Sequence, residues 1–219
     1  MPRLLFEKTG NAVWSSHLDL MRIFQRAFKR AGLPLTHTQG FNPRPSVSIA
    51  LPLSVGVESV CELLDFDLDG DVVPCDEITE RLNKALVSGV HVLETYNAGR
   101  KLRDLAYLHA FVTLEYDEGI PENAENVVAA LFTKDAVIVP KKGKNGIQDQ
   151  DIIPMIQSIE VKRAGEKELV LDCVVCCQNP TLNPMQLVAA INLYLPEMTP
   201  SFAMCKRLEI FDGNHTVFR

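Results

Sequence analysis

Residues Arg3–Pro34 read RLLFEKTGNAVWSSHLDLMRIFQRAFKRAGLP and contain both patterns on which the fold prediction depends. Residues 3–8 alternate enough between apolar and polar side chains to predict a strand, and Thr9–Asn11 turn the chain after it. Helical periodicity begins near His17. The stretch therefore predicts a strand that is connected by a short turn to a longer helix.

This helix has recognisable signals at both ends. Ser16 precedes Asp19 at the spacing of a capping box, with Asp in place of the usual Glu or Gln, so the helix begins near His17. Gly32 and Pro34 end it. Its apolar side chains recur at spacings of three and four and predict a stripe that faces the core: Leu20, Phe24, Ala27, Phe28 and Ala31.

The rest of the first half adds three strands and a second helix. Strands are predicted over residues 46–51, 62–68 and 90–96, and a helix over residues 76–87. The resulting order is β-α-β-β-α-β, which is the order of a ferredoxin-like domain. We therefore predict that residues 1–100 form one such domain.

The pattern restarts in the second half of the chain. Residues 107–116 alternate as a strand, residues 122–132 have helical spacing, and another helix begins at Asn183-Pro184. A basic tip at residues 140–146 interrupts the order with an inserted strand or loop. The prediction is an α+β protein of two tandem ferredoxin-like domains with antiparallel sheets, the second over residues 101–219.

A proline-rich loop, residues 40–45 (GFNPRP), is too long and too constrained for a tight hairpin. Gly40 can adopt a positive φ, and the two prolines fix their own φ angles, so the loop is rigid and loses little entropy on binding. Phe41 offers an apolar or stacking surface, and Asn42 offers a paired donor and acceptor. Arg44 offers a planar donor fork for phosphate or carboxylate. The alternative is a loop that covers the sheet edge, with Phe41 in the core.

Charge is unevenly distributed along the chain. Residues 1–50 contain seven Lys or Arg against two Asp or Glu, a net charge of +5; since the whole chain carries −6, the remainder carries −11. Such asymmetry indicates an anionic partner for the basic part, and it argues against nonspecific nucleic-acid binding by the whole chain. Four basic residues lie opposite the apolar stripe of the first helix, where a merely solvated surface is the alternative: Arg22, Arg26, Lys29 and Arg30.

The start of the first helix is a second candidate site. In a ferredoxin-like fold it lies beside the end of the first strand, so Lys8 would adjoin helix N–H groups that favour anions. His17 is a candidate general acid or base near neutral pH, with Asp19 to orient it. Capping alone also explains Asp19, and a local structural hydrogen bond is the alternative for His17.

These two features are expected to form one site, in which the rigid loop holds its side chains over the helix start at His17. His17 is the only catalytic candidate, while His91, His109 and His215 are treated as incidental. No metal site and no cofactor are predicted. The predicted ligand-binding residues are Lys8, His17, Arg22, Phe41, Asn42 and Arg44.

The cysteines predict buried thiols rather than a metal site. Cys173 and Cys176 lie in a predicted strand, and positions three apart on a strand point to opposite faces. Elsewhere the chain has no apolar run of the roughly 20 residues that span a bilayer, and charges come early at its N-terminus. The expectation is a cytoplasmic protein with reduced thiols and no membrane partner.

Several segments resemble a bacterial family, the radical-SAM-linked proteins, also catalogued as a domain of unknown function. The similarity covers nearly the whole chain and is most specific in five stretches: Lys8–Gly10, Ser16–Arg22, Arg30–Pro34, Gly40–Pro45 and Leu51–Ser59. The resemblance implies a context, because members are encoded beside, or fused to, a radical SAM protein, and neighbouring genes often include a ribonuclease and ribosomal proteins. This sequence lacks the fused radical SAM portion and any Cx₃CxxC run, so a separate partner would supply the cluster.

Three functions remain open on the sequence. The first is an accessory or substrate-binding partner of a radical SAM enzyme, with RNA or a ribosome-associated protein as a further partner. The second is an RNA-modifying or RNA-processing enzyme that uses His17 at a basic site. The third is a pure assembly module, which predicts only weak salt dependence of any RNA binding.

Overall fold

The computed structural model describes residues 1–143 and 146–219, which divide into two compact units. Residues 1–104, with Arg219, form the first unit, and residues 105–218 form the second. The described residues form a mixed α+β structure with four α-helices and strand pairs that are antiparallel within each unit. None of these helices is long and apolar enough to cross a membrane.

The first unit contains four strands and two helices. Its sheet has the order β4-β1-β3-β2, and every neighbouring pair is antiparallel. The element order β-α-β-β-α-β agrees with the order predicted from the sequence. The bounds are β1 Pro2–Lys8, α1 His17–Arg30, β2 Val47–Ile49, β3 Val57–Phe66, α2 Cys75–Ala85 and β4 Val90–Asn97.

The core of this unit lies between α1 and the sheet. Phe24 packs edge-on against Phe6, with ring centroids 4.7 Å apart, and Phe28 packs against Phe66 at 4.9 Å. Burying each of these side chains stabilises the fold by roughly 1.5–3 kcal/mol. The predicted apolar stripe of α1 is confirmed at four positions, Leu20, Phe24, Ala27 and Phe28, while Ala31 is only half-buried.

The strand boundaries differ most from the prediction around residues 46–68. Strand β2 has only three residues, and β3 begins at Val57, five residues earlier than expected. Residues 51–56 form a connector, in which Gly56 has a φ of +79° and donates its N–H to the Val13 carbonyl at 2.8 Å. The predicted start of β3 at residue 62 was wrong. Residues 57–61 already belong to the strand, because they alternate between buried and half-buried positions and pair with the end of β1.

The second unit has a four-stranded sheet and a separate hairpin. The sheet has the order β10-β5-β9-β8, and β6 and β7 pair only with each other among the described strands. This hairpin is the insertion that the sequence predicted; its basic tip includes Lys144, which lies outside the described residues. The bounds are β5 Leu105–Glu115, α3 Ala124–Leu131, β6 Ile138–Gly143, β7 Gly146–Asp151, β8 Ile156–Arg163, β9 Glu168–Cys176, α4 Met185–Tyr194 and β10 Phe202–Asp212.

The cysteines of this unit lie in its interior, as predicted. Cys173, Cys176 and Cys177 are all buried thiols. Burial, with smaller effects from Cys205 and Asp172, raises the pKa of the Cys173 thiol to about 12. Cys173 is therefore a protonated core side chain at neutral pH, which disfavours nucleophilic chemistry.

Candidate nucleic-acid interface

The exposed face of α1 is strongly basic. Arg22, Arg26 and Lys29 are all exposed, and at a rise of about 1.5 Å per residue they extend over roughly 10 Å of the helix axis. Arg22 Nη1 lies 3.2 Å from the carboxylate of Asp19. Arg26 and Lys29 make neither an ion pair nor a side-chain hydrogen bond with any described residue. Within the described part of the chain, no side chain neutralises these two charges.

Arg30 differs from these three residues. Although it is exposed, its guanidinium donates a hydrogen bond of 2.6 Å to the carbonyl of Ala85, at the last residue of α2. It therefore ties the two helices together. The basic face of α1 accordingly consists of Arg22, Arg26 and Lys29.

The loop that carries GFNPRP lies beyond the C-terminal end of α1, and hydrogen bonds close its base. His37 and Pro45 form an antiparallel bridge. The Thr38 N–H donates to the Arg44 carbonyl at 2.9 Å, and the Arg44 N–H donates to Thr38 Oγ1 at 3.0 Å. The bridge and these two bonds hold both arms of the loop together, which supports the predicted rigidity.

The tip of this loop faces solvent. Gly40 turns the chain with a φ of +138°, a backbone conformation that favours glycine. Phe41 is fully exposed, and Asn42 and Arg44 are exposed beside it. The alternative in which Phe41 fills the core is wrong. Phe41 thus presents its aromatic ring to solvent beside the polar groups of Asn42 and Arg44.

A groove of about 440 Å³ lies between the C-terminal end of α1 and the base of the loop. Its floor includes Phe28, which is fully buried, and exposed Lys29 lies on its rim. The groove is continuous with the basic face of α1, because Lys29 belongs to both. Its lining includes Gln25, Phe28, Lys29, Leu35, His37 and Pro45.

The candidate site at the start of α1 has a different character. Lys8 is fully buried, and its ammonium donates to the carbonyls of Ser15 at 3.0 Å and Ser54 at 3.2 Å. It fastens the β1–α1 connection to the connector of residues 51–56. Lys8 was expected to face a ligand, but its burial assigns it a structural role instead.

His17 lacks the carboxylate partner that the catalytic hypothesis needs. Asp19 accepts a hydrogen bond of 2.7 Å from the Ser16 hydroxyl and pairs with Arg22 on its other side. The bond from Ser16, with smaller contributions from Arg22, lowers the pKa of the Asp19 carboxyl. His17 is half-buried, and its enclosed Nδ1 has no hydrogen-bond partner among the described residues. Asp19 therefore caps α1 and does not orient the imidazole.

His17 and the loop lie at opposite ends of the first unit. On β3, Ser59 pairs with Lys8, immediately before the connection to α1, whereas Phe66 pairs with Val47, immediately after the loop. The 14 residues of α1 separate the two connections by about 20 Å. The expectation that the loop covers the start of α1 is therefore wrong. Of the predicted residues, Phe41, Asn42 and Arg44 share the loop and Arg22 lies along α1. Lys8 and His17 lie at the opposite end of the unit, near the start of α1.

Sequence reasoning treated His109 as incidental, yet it belongs to a charged cluster on the second unit's sheet. His109 Nε2 lies 2.8 Å from Asp172 Oδ1, and Lys162 Nζ lies 3.2 Å from Asp172 Oδ2. Burial raises the pKa of the Asp172 carboxyl, but the bonds from His109 and Lys162 together outweigh it and hold this pKa below its ordinary value. The three side chains come from neighbouring strands, and no local motif indicates their pairing.

Replacing Asp172 with Asn is expected to lower the free energy of unfolding by about 1 kcal/mol near pH 5. A lowered pKa in the folded state means that the carboxylate stabilises the fold above the ordinary value of about 3.9. The stabilisation is lost as the pH falls through the folded-state pKa, so the difference in stability between the wild type and the variant should shrink as the pH falls below about 3.9. Urea denaturation from pH 5 to 3 measures this, with Asp135→Asn as an exposed control. A difference that does not shrink at all between pH 5 and pH 3 would assign the effect to packing.

Comparison with known proteins gives one family and some distant structures. A family model described as "Uncharacterized protein conserved in bacteria (DUF2344)" matches residues 2–184. No curated protein matches the chain. A chain in the crystal structure of a Cbf5-Nop10-Gar1 complex is 11% identical, with a TM-score of 0.48, over 95% of this chain and 48% of that one. An unknown protein from Galdieria sulphuraria is 14% identical, with a TM-score of 0.27, over 94% of this chain and 95% of that one. This chain thus spans about half the length of the matched chain in the Cbf5-Nop10-Gar1 complex.

Proposed function

Since the chain belongs to this family of bacterial proteins, whose description names no activity, we propose a function from its own residues: it is a non-catalytic accessory protein that binds RNA. The binding surface consists of the basic face of α1 and the loop that presents Phe41 and Arg44. The single observation that carries the proposal is the full exposure of Phe41 beside Arg44, beyond the C-terminal end of that basic face.

The combination of cations and an exposed aromatic ring favours nucleic acid over other anions. Proteins that bind single strands combine a positively charged track for the backbone with aromatic side chains on which bases stack. Arg26 and Lys29 supply charge along α1, and Phe41 supplies a ring with both faces open to solvent. Because Arg44 is exposed next to this ring, its guanidinium can contact a phosphate while a base stacks on Phe41.

The rigidity of the loop also supports binding. Hydrogen bonds at its base and the prolines at positions 43 and 45 leave little conformational freedom to lose when a ligand binds. The fold-level part of the proposal is that each unit is a ferredoxin-like domain. Its support is that the strand order of each unit, numbered from that unit's first sheet strand, is 4-1-3-2.

An enzyme acting through His17 has less support. A histidine that acts as a general base usually has a second group to orient it, and Asp19 is committed to Ser16 and Arg22. His17 also lies about 20 Å from the loop that would hold the RNA. RNA modification by this chain alone is therefore the weaker alternative.

The partner of this RNA-binding protein is proposed from the sequence resemblance. The stretches shared with radical-SAM-linked proteins include the GFNPRP loop and the start of α1. We therefore propose that the protein presents RNA, or a ribosome-associated substrate, to a separate radical SAM enzyme in the cytoplasm. Neither the loop nor α1 supplies the chemistry of that reaction, so the chain would act by binding and positioning.

Replacing Phe41 with Ala is expected to weaken binding of a single-stranded RNA about tenfold, because base stacking on an aromatic ring contributes about 1–3 kcal/mol. Arg44→Ala should weaken it less and should also reduce the salt dependence. Fluorescence anisotropy with a labelled 12-nucleotide RNA measures both variants. Phe202→Ala, which removes an exposed Phe of the second unit, is the matched control and should bind as the wild type does. Unchanged affinity of both loop variants would contradict the proposal.

The partner is tested by a pull-down from native lysate with the tagged wild type and Arg44→Ala, with and without nuclease. Recovery of a radical SAM protein in both nuclease conditions is the expected result. RNA should be recovered by the wild type and reduced by Arg44→Ala. Recovery of protein without RNA, together with weak salt dependence, would favour an assembly module instead.

A further inference from the structure

The groove beside the C-terminal end of α1 has a chemical character that the basic face and the loop tip do not share. Leu35 and Pro45 form apolar walls, and Phe28, which is fully buried, lies beneath them without an exposed ring face. Three of its lining residues carry polar side-chain groups: the amide of Gln25, the ammonium of Lys29 and the imidazole of His37. The groove therefore suits a flat ligand with apolar faces and polar edges.

The volume of the groove also suits a flat ligand with apolar faces and polar edges. Its volume of about 440 Å³ lies within the range of small-molecule sites, about 300–1,000 Å³. The aromatic ring of the nearby loop does not fill it, because Phe41 is fully exposed to solvent. A groove of this size beside an outward-facing Phe41 leaves room for a ring that belongs to a partner.

From this arrangement we infer that the groove is a pocket for one unpaired base of a bound RNA strand, an inference that rests on the proposed function. The base inserts its apolar faces between the walls that Leu35 and Pro45 form. The Gln25 amide offers one donor and one acceptor to a base edge, which is the pairing that Gln makes with adenine. Lys29, shared by the groove and the basic face of α1, lies where the phosphate of that nucleotide would continue along the helix.

Charge and shape together favour a base over an acidic peptide. The rim is basic, with Lys29 in the groove and Arg26 one helical turn away, which suits an anionic chain of either kind. A carboxylate inside the groove would meet the apolar floor and lose hydration without enough donors to replace it. A nucleotide separates its two parts, since the base occupies the groove while the charged phosphate stays at the rim.

The inference makes the protein selective for single strands, because a base held in a duplex cannot enter the groove. Anisotropy with a labelled 12-nucleotide oligoadenylate, alone or annealed to its complement, measures this selectivity. The wild type should bind the single strand at least tenfold more tightly than the duplex. Gln25→Trp, which fills the groove, should weaken single-strand binding about tenfold and leave duplex binding and its salt dependence unchanged.

Three further variants separate the groove from other effects. Gln148→Trp makes the same substitution at an exposed position of β7 and should bind both RNAs as the wild type does. Gln25→Ala removes the amide but leaves the groove open, so its loss should be smaller than that of Gln25→Trp. His37→Trp fills the groove from the opposite rim, and it replaces Gln25→Trp if the melting curve of that variant shows that it does not fold.

The outcomes distinguish this inference from the proposed function. Salt-dependent RNA binding without single-strand preference, or binding that both groove-filling variants leave unchanged, would overturn the base pocket and leave RNA binding intact. Absence of RNA binding by the wild type would overturn both. Competition for the groove by an acidic peptide, with no effect of the groove-filling variants on RNA, would also overturn it.

Discussion

Replacing Gly89 with Ala is expected to lower the free energy of unfolding by about 3 kcal/mol. Gly89 has a φ of +83°, a region that costs a residue with a Cβ about 1–2 kcal/mol. A Cβ at this position would lie 2.4 Å from the Thr9 carbonyl oxygen and 2.9 Å from the Ala12 Cβ. Overpacking adds about 1–3 kcal/mol, because these neighbours are backbone and a short side chain that cannot rotate away.

The position of Gly89 explains why the effect should be large. Its carbonyl accepts a hydrogen bond of 2.8 Å from the Thr9 N–H, which joins the start of β4 to the connection after β1. Any shift that relieves the clash would therefore also strain this bond. Urea denaturation of the wild type and the variant measures the difference.

Gly70→Ala is the matched control for this prediction. Gly70 also has a positive φ, +95°, but a Cβ there would meet no atom within 4 Å. Its substitution should cost only the backbone strain, about 1–2 kcal/mol. If the two variants lose the same stability, the close approach of Gly89 to Thr9 does not contribute as the structure implies.

Reversing the basic face of α1 is expected to have the largest effect on binding. The triple variant Arg22→Glu, Arg26→Glu, Lys29→Glu should bind single-stranded RNA about 100-fold more weakly at 0.1 M salt. Three phosphate contacts are lost, and each releases about 0.7 of a counterion from a single strand, so the salt slope should fall by about 2. Anisotropy at several salt concentrations measures both the affinity and the slope.

The control for this variant has to change the net charge equally. Lys101→Glu, Arg103→Glu, Lys134→Glu reverses three exposed cations elsewhere and alters the total charge by the same amount. Long-range repulsion alone would weaken binding of both variants similarly, because it depends on net charge. The proposal requires a much greater loss for the α1 variant, and equal losses would contradict it.

Much of the first unit follows from local patterns in the sequence. The capping residue Ser16 and the spacing of Leu20, Phe24 and Phe28 predict both the start and the buried face of α1, because a helix brings positions three and four apart together. The element order of residues 1–100 was also predictable, because its strands and its second helix were read from patterns that are likewise local in the sequence. The bounds of β2 and β3 were less predictable, since they depend on where the two strands stop pairing.

The candidate site was only partly predictable. The sequence pointed to Phe41 and Arg44 because two prolines and a glycine mark a rigid loop, and the structure exposes both side chains. The predicted position of that loop relative to His17 was wrong, because the prediction placed the loop over the start of α1 without allowing for the length of the helix between them. Lys8 was misjudged because the segment that contributes the Ser54 carbonyl comes from 46 residues later in the chain.

Long-range pairing explains what the sequence could not indicate in the second unit. His109 and Asp172 are 63 residues apart, and their contact depends on the register of β5 against β9. Alternation along each strand predicts which side chains share a face, but not which residue lies opposite which. The groove was missed similarly, because it combines Gln25 of α1 with Pro45 of the following loop.

The most direct test of the central claim is ultraviolet crosslinking of the wild-type protein to a single-stranded RNA, followed by mass spectrometry of the nucleotide-bearing peptides. RNA bound to the basic face of α1 and the loop should leave adducts within residues 22–45, with Phe41 foremost because its ring is fully exposed. The Phe41→Ala variant should lose that adduct. Adducts confined to residues 105–218, or none above an RNA-free sample, would contradict the account.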